Sequence, residues 1–166
     1  MSWLSGREMT DKIKRYGDTV TRDAFHGVYS IDNLPFAVPH YPFFMIVNTQ
    51  ARNLPGEHWK TIFIDKNKRG EVFDSLAMPL NNIIIRWLNR FTRSYTVNRI
   101  AYQHPLSTTC GGFAVFYVLN RLSDPNCVTN MFDSIPYEND ERVRACLLYT
   151  SPSPRDLSTS RMPSSA

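Results

Sequence analysis

Cysteine is scarce in this chain of 166 residues, which contains three, Cys110, Cys127 and Cys146. They form no CxxC pair and no ligand set with the spacing of a zinc site. They are also too few and too scattered to form a disulfide scaffold, which favours a reducing compartment. The sequence therefore predicts no metal, no resident cofactor and an intracellular location.

Long apolar runs are absent as well. No stretch reaches the roughly 18 apolar residues that a membrane-spanning helix needs, and residues 1–11 lack the basic and then apolar pattern of a signal peptide. The hydrophobic fraction of 42% and the aromatic fraction of 13% fit a globular protein. We therefore expect a soluble protein with one folded domain and no membrane association.

A strong charge of either sign is also lacking. The net charge is +4, and the lysine and arginine residues are spread along the chain rather than clustered. No basic stripe interleaved with aromatic residues is found, so any binding to nucleic acid would be weak and would depend on summed charge. We expect a monomer.

Residues 146–166 differ from the rest of the chain. After Tyr149 the sequence is rich in serine and proline and has no hydrophobic periodicity, which predicts disorder. Back-translated, residues 146–156 and 160–166 match the two ends of a common sequencing-library adapter. We therefore predict that residues 146–166 are a translated artefact and that the domain, residues 1–145, is truncated at its C-terminal end.

The stretch from Gln103 to Leu119 organises the remaining chain. A polar turn leads into Cys110, two glycines and seven uncharged residues, which predicts a helix buried on nearly every face. At the first turn of a helix, the backbone N–H groups and the helix dipole favour a thiolate and lower the pKa of a cysteine. Gly111 and Gly112 weaken a helix by about 1 kcal/mol each relative to alanine, which suggests that a substrate chain approaches the backbone there. The alternative is that Cys110 is a small buried side chain with no chemical role.

Two short apolar runs, residues 60–65 and 71–73, flank a polar turn that ends in glycine, which predicts a β-hairpin. His58 precedes the first strand and Asp74 follows the second. Because the ends of two antiparallel strands are neighbours, we expect the imidazole and the carboxylate to meet in space.

Other elements are expected around this hairpin. Residues 41–48 form an apolar run typical of a strand buried on both faces, and residues 78–91 have the periodicity of a helix that packs on a sheet. Residues 95–102 are a further predicted strand. Asn139 or Asp140 is expected to cap a last helix.

These residues supply what a cysteine protease needs. Cys110 is the candidate nucleophile, His58 the base and acid, and Asp74 the group that orients the imidazole. Gln103, seven residues before Cys110, can donate its side-chain amide alongside the Cys110 backbone N–H to form an oxyanion hole. Each residue taken alone has an ordinary structural explanation, so the prediction depends on the set.

Alternatives remain open at two positions. His26, His40 and His104 are rival bases, and His104 is the most serious because it neighbours Gln103. Cys127 is the rival nucleophile.

The order of these residues, histidine, acid, glutamine and cysteine, resembles that of the adenovirus protease (adenain) family and, more distantly, that of the ubiquitin-like-protein proteases. The resemblance spans roughly residues 25 to 122, and its lead-in at residues 25–28 is like that of relatives encoded by virus-like DNA transposons. The matching segments are Ile46-Val47-Asn48-Thr49, Gly56-Glu57-His58-Trp59, Phe73-Asp74-Ser75, and Gln103 with Cys110-Gly111.

The resemblance implies an α+β fold with a mixed central sheet packed by helices and with the catalytic cysteine at the N-terminus of a buried central helix. It implies that Trp59 lines the active site and that Gly111 and Gly112 border a narrow substrate cleft. It also implies cleavage of protein or peptide substrates after small, glycine-containing sequences, in the maturation of viral or virus-like-element proteins. The location would be the virion or the host nucleus or cytoplasm.

Two features depart from the adenovirus enzymes. Asp74 replaces their glutamate, as in the proteases of ubiquitin-like proteins. No cysteine lies between Asp74 and Gln103 to hold a disulfide-linked activating peptide, and DNA is an activator only by analogy. The competing hypotheses are an isopeptidase that removes ubiquitin-like proteins and a catalytically inert binding module on the same fold.

Overall fold

The computed structural model describes residues 4–49 and 58–150, with the backbone alone in residues 148–150. In this part of the chain the helices are α1 (Gly6–Tyr16), α2 (Thr19–Ala24), α3 (Asn82–Phe91), α4 (Cys110–Asn120), α5 (Cys127–Met131) and α6 (Pro136–Thr150). The strands are β1 (Phe25–Ser30), β2 (Phe43–Asn48), β3 (Trp59–Ile64), β4 (Arg69–Phe73) and β5 (Ser94–Val97). None of the helices in the described ranges has both the length and the apolar character to cross a membrane.

The strands form one mixed sheet in the order β1-β2-β3-β4-β5. The two outer pairs, β1 with β2 and β4 with β5, are parallel, and the inner pairs are antiparallel. All six residues of β2 are buried, as their apolar run predicts. The predicted fold class, α+β with a mixed sheet packed by helices, is confirmed.

Helices cover both faces of the sheet, and alternate residues of β2 serve the two cores. Phe44 and Ile46 pack with α1, α4 and α6 on one face. Phe43 and Met45 pack with α3 on the other face. This alternation follows from the two-residue repeat of a strand.

The helix α4 begins at Cys110, and its residues from Cys110 to Val118 are all buried. It lies against β3, α1 and α6, so it is the central helix that its uncharged sequence predicts. The candidate nucleophile is therefore the first residue of a buried helix.

Helix α3 begins later than the predicted residue 78. The side chain of Asn81 accepts a hydrogen bond from the backbone N–H of Ile83 at 2.7 Å and caps the helix at Asn82. Residues 76–79 instead form part of a turn, in which the N–H groups of Leu76 and Met78 donate to Asp74. Met78, the first residue of the predicted helix, is therefore part of the turn that binds the carboxylate.

Helix α6 also differs from the prediction. It begins at Pro136, whose missing N–H and fixed φ suit the first turn of a helix, so Asn139 and Asp140 lie inside it and do not cap it. The helix continues past the predicted boundary at residue 145, and Leu147 is buried in the core. Residues 151–166 lie outside the described residues, and the artefact origin of residues 146–166 stays a prediction.

Candidate active site

His58 and Asp74 are in direct contact at one end of the β3–β4 hairpin. The register pairs Thr61 with Phe73, which brings the start of β3 beside the end of β4. Nε2 of His58 forms a hydrogen bond with Oδ1 of Asp74. Both side chains are buried, Asp74 completely. Because Nε2 is used by the carboxylate, Nδ1 is the ring atom that remains for a nucleophile.

Cys110 interacts with the other side of this imidazole. Burial tends to lower the pKa of His58, but the hydrogen bond to Asp74, the hydrogen bond to Cys110 and the charges of both raise it to about 9. Nδ1 of His58 is buried and bonded to no described nitrogen or oxygen atom. The arrangement therefore favours an imidazolium at neutral pH beside the Cys110 sulfur.

Asp74 is held as a carboxylate by four donors. Oδ1 also accepts the Leu76 N–H at 2.8 Å. Oδ2 accepts the Met78 N–H at 2.9 Å and forms an ion pair with Lys60 Nζ at 3.1 Å. Burial raises the pKa of Asp74, but His58, Lys60 and the Leu76 N–H together lower it below its usual value.

Asn98 fixes the backbone that carries Asp74. Its Oδ1 accepts the Asp74 N–H at 2.8 Å, and its Nδ2 donates to the Asp74 carbonyl at 2.7 Å and to the Ile100 carbonyl at 3.0 Å. The chain leaves the sheet at this point, which shortens β5 relative to the predicted strand over residues 95–102. The sequence carries only a weak signal for this role, an asparagine within a predicted strand.

Gln103 lies in the loop before α4 and is buried. Ser75 Oγ donates to Gln103 Oε1 at 2.5 Å, and Gln103 Nε2 donates to the Ser107 carbonyl at 3.1 Å. The Gln103 backbone N–H also donates to the Ser75 carbonyl at 2.9 Å. A side-chain amide has two N–H donors, so one donor of Gln103 remains for a further acceptor.

Two residues of α6 hold this loop from the other side. Asp140 Oδ1 accepts the Thr109 hydroxyl at 2.8 Å, and Asp140 Oδ2 accepts the His104 N–H at 3.3 Å. Asn139 Nδ2 donates to the Tyr102 carbonyl at 3.1 Å. Both α6 side chains are buried, so they position the segment that leads into Cys110.

The three residues assigned to the substrate cleft lie in the interior. Trp59 is 9% exposed and packs in the core on the α4 face of the sheet. A Cβ atom at Gly6 would lie 3.6 Å from its ring, so the start of α1 covers it. Gly111 and Gly112 are buried in the first turn of α4. The role of these residues in a cleft stays a prediction.

The rival histidines make other contacts. His26 stacks on Tyr29 with the ring centroids 5.8 Å apart, and burial lowers its pKa. His40 is exposed. His104 Nδ1 accepts the Leu106 N–H at 3.1 Å within its own loop. Among the described histidines, His58 is the one with a carboxylate on one ring nitrogen and Cys110 as a neighbour.

Burial raises the pKa of Cys127, the rival nucleophile, to about 11, with a further contribution from the Asp124 charge. Its thiol is therefore protonated at neutral pH. No group of three or more histidine, cysteine, aspartate or glutamate side chains within residues 4–49 and 58–150 could hold a metal ion.

The amino-acid sequence is similar to that of the cysteine protease of African swine fever virus, with 30% identity over 123 residues. The aligned region covers 66% of this chain and 44% of the viral protein, so the chain spans less than half the length of that relative. No family model matches the chain.

The fold is similar to that of solved structures. The crystal structure of the African swine fever virus protease has a TM-score of 0.62 and 18% identity, over 86% of this chain and 66% of that chain. The central domain of an uncharacterized protein from Legionella pneumophila has a TM-score of 0.51 and 12% identity, over 90% of this chain and 98% of that chain. At such identities the likeness shows a shared fold, and with the sequence match it confirms the predicted relationship to a cysteine protease.

Proposed function

We propose that this chain, a homologue of the African swine fever virus cysteine protease with an adenain-like α+β fold, is a cysteine peptidase. The observation that carries the proposal is the contact of His58 with both Asp74 and Cys110. If Cys110 had only a structural role, the fold would not require a buried histidine that contacts a carboxylate on one side of its ring and the cysteine on the other.

The first step is attack by sulfur. His58 holds a proton as an imidazolium, and Cys110 is a thiolate at the N-terminal end of α4, where the helix dipole stabilises negative charge. The thiolate forms a bond to the carbonyl carbon of the substrate, and the carbonyl electron pair moves to oxygen. The Cys110 N–H and the remaining N–H of Gln103 donate to this oxyanion.

The second step expels the amine. His58 donates its Nδ1 proton to the leaving nitrogen as the C–N bond breaks, and a thioester to Cys110 remains. Water then attacks the thioester while His58 accepts a proton, and the thiolate leaves. Through both steps Asp74 keeps the imidazole oriented by its bond to Nε2.

The substrate is a protein or peptide chain with small residues before the scissile bond. Support comes from the resemblance of residues 25 to 122 to the adenovirus protease family, which implies cleavage after small, glycine-containing sequences. A role in maturing viral or virus-like-element proteins is supported by the viral source of the sequence relative. DNA is a candidate activator, since the net charge is +4.

Labelling with iodoacetamide at about pH 7, followed by mass mapping of the modified thiol, tests the nucleophile. We expect Cys110 to react first and Cys127 to stay unmodified, because burial raises the pKa of the Cys127 thiol to about 11. Preferential labelling of Cys127 would contradict the site. An absence of labelling at Cys110 would favour an inert binding module.

Turnover is tested with a peptide that contains Gly-Gly and with a ubiquitin-like conjugate. Cys110→Ala should reduce kcat by several orders of magnitude, about 10⁶-fold when a nucleophile is essential. Cys127→Ala is the matched control, a buried cysteine removed from the same core, and should keep activity. Cleavage of the conjugate in preference to the peptide would favour the isopeptidase.

A further inference from the structure

Lys60 is buried beneath the candidate site, with 2% of its surface exposed. It lies on β3 in a strand whose six residues are all buried. A buried charge is strongly unfavourable unless it is paired and hydrogen-bonded. A lysine at this position therefore requires partners for each of its donors.

All three donors of Lys60 Nζ have acceptors. The ammonium lies 3.1 Å from Asp74 Oδ2, 3.1 Å from the Met78 carbonyl and 3.1 Å from the Pro79 carbonyl. These acceptors come from the end of β4 and from the turn that follows it. The same turn therefore binds both groups: its backbone carbonyls accept from the Lys60 ammonium, and its backbone N–H groups donate to the Asp74 carboxylate.

The hairpin register explains this contact. Thr61 pairs with Phe73, and one further step in the same register places Lys60 opposite Asp74. His58, the residue before β3, bonds to Asp74 Oδ1, and the Lys60 ammonium pairs with Asp74 Oδ2. The carboxylate therefore lies between the imidazole and the ammonium.

The charges of the buried group balance only when Lys60 is included. A Cys110 thiolate and an Asp74 carboxylate contribute two negative charges, and the His58 imidazolium contributes one positive charge. The Lys60 ammonium supplies the second positive charge. Without it, the buried group would carry an excess negative charge that opposes a thiolate.

We infer that Lys60 is a positioning residue of the proposed peptidase: its buried ammonium keeps Asp74 ionised and turned toward His58. The inference rests on the proposed function of Cys110, His58 and Asp74. Lys60 itself contacts Asp74 and two backbone carbonyls, so it acts on the reaction through Asp74.

The test compares Lys60→Met with wild-type protein. The readouts are kcat/KM and the rate of Cys110 alkylation, each measured against pH. Loss of the positive charge makes the thiolate harder to form and the imidazolium harder to deprotonate. Both the acid and the alkaline limb of the kcat/KM profile should therefore move up by about one pH unit, and the pH at which Cys110 becomes reactive to alkylation should rise by the same amount. The maximal kcat/KM should fall about tenfold or more as Asp74 loses its orientation. Lys60→Arg, which keeps the charge, should keep both limbs near their wild-type positions.

Ile64→Ala is the control for loss of packing. Ile64 is fully buried four residues further along β3 and lies on the same face of the sheet as Lys60. This variant should lower stability without moving either limb. Unchanged limbs in Lys60→Met, or an equal shift in Ile64→Ala, would overturn the inference.

If Lys60→Met does not fold, NMR of Lys60 and the alkylation profile of Cys110, both in wild-type protein, remain informative. In wild-type protein, NMR of the Lys60 Nζ group should show an ammonium protected from exchange, with a signal that changes when Asp74 is replaced by Asn. A neutral amine at pH 7, or a signal indifferent to Asp74→Asn, would contradict the inference. The alkylation profile separates the two proposals: an unreactive Cys110 in wild-type protein counts against the peptidase, whereas the NMR signal tests the Lys60 contact itself.

Discussion

Two carboxylates close together in the chain, one on β4 and one directly after it, have very different surroundings. Glu71, in the middle of β4, accepts hydrogen bonds from Arg121 Nε at 2.8 Å and Nη2 at 2.5 Å. It also accepts one from the Tyr117 hydroxyl. Burial raises the pKa of Glu71, but Arg121 and Tyr117 outweigh it and lower the pKa. Both partners keep their protons at neutral pH, so this cluster links β4 to α4 and has no proton to transfer.

Asp74, the residue directly after β4, also has a lowered pKa. Its partner His58 is titratable, and the second ring nitrogen of His58 is buried beside Cys110 rather than bonded to another oxygen or nitrogen. The difference shows that a perturbed carboxyl pKa does not by itself mark a catalytic site. In the proposed site, the feature that separates Asp74 from Glu71 is a titratable partner, His58, that lies beside a cysteine.

The largest effect that separates these two clusters is expected in catalysis. Asp74→Asn should reduce kcat/KM by about 10³- to 10⁴-fold, because a neutral amide does not stabilise the imidazolium charge and its NH₂ group can select the wrong imidazole tautomer. Glu71→Gln, the matched change in the other cluster, should stay within a few-fold of wild type. Peptide hydrolysis by the two folded variants, verified by circular dichroism, provides the measurement. Equal losses in both would mean that Asp74 acts only through the stability of the strand.

An intermediate effect is expected in the dependence of stability on pH. The pKa of His58 is raised from 6.5 to about 9 in the folded protein, so its stabilisation is fully present below about pH 6.5 and is lost as the pH rises through about 9. The size is on the order of 3 kcal/mol. Glu71 has a lowered pKa, so it also stabilises the folded protein, but with the opposite pH dependence: its stabilisation is present above about pH 4.5 and is lost as the pH falls below that value.

Urea unfolding of wild-type protein and of His58→Gln between about pH 5 and 10 measures this difference. The free energy of unfolding of wild type should fall more steeply on the alkaline side than that of the variant. Parallel curves for the two proteins would show that the folded state does not hold the His58 proton.

The smallest effect is expected for the stability of the Glu71 cluster. Glu71→Gln should lower the free energy of unfolding by about 1–2 kcal/mol, a value reduced because the Glu71 side chain is 35% exposed. Glu141→Gln is the control, since the Glu141 and Arg144 pair is more exposed, and should change stability by a few tenths of a kcal/mol. A loss in Glu141→Gln as large as in Glu71→Gln would refute a special role for the cluster.

Several elements could be predicted because their signals are local. The apolar run that forms β2 and the uncharged stretch that forms α4 are buried as expected. The hairpin of β3 and β4 follows from two apolar runs around a polar turn, and with it comes the contact of His58 and Asp74. Periodicity and turn residues are properties of neighbouring positions, so they can be recognised without the fold.

The start of α3 and the start of α6 were predicted wrongly for a common reason. The turn before α3 has apolar residues that suit a helix, but its N–H groups bind Asp74. Asn139 and Asp140 are typical capping residues, but they bind the Tyr102 carbonyl and the Thr109 hydroxyl from inside α6. The α6 side chains bind partners 37 and 31 positions away. The turn before α3 binds a neighbouring carboxylate, Asp74, which is held in place by contacts across the sheet with His58 and Lys60.

The sequence by itself determined which reactive groups are present, their order along the chain, and the strand and helix that carry them. The tertiary structure decided which nitrogen of His58 meets Asp74, that Lys60 is buried against the same carboxylate, and how Asn98 and Asp140 support the site. The Asn98 contact joins residues 24 positions apart, and the contact of Thr109 with Asp140 joins residues 31 positions apart. Such hydrogen bonds depend on geometry that exists only after the sheet and helices have packed, and no local pattern of hydrophobicity encodes them.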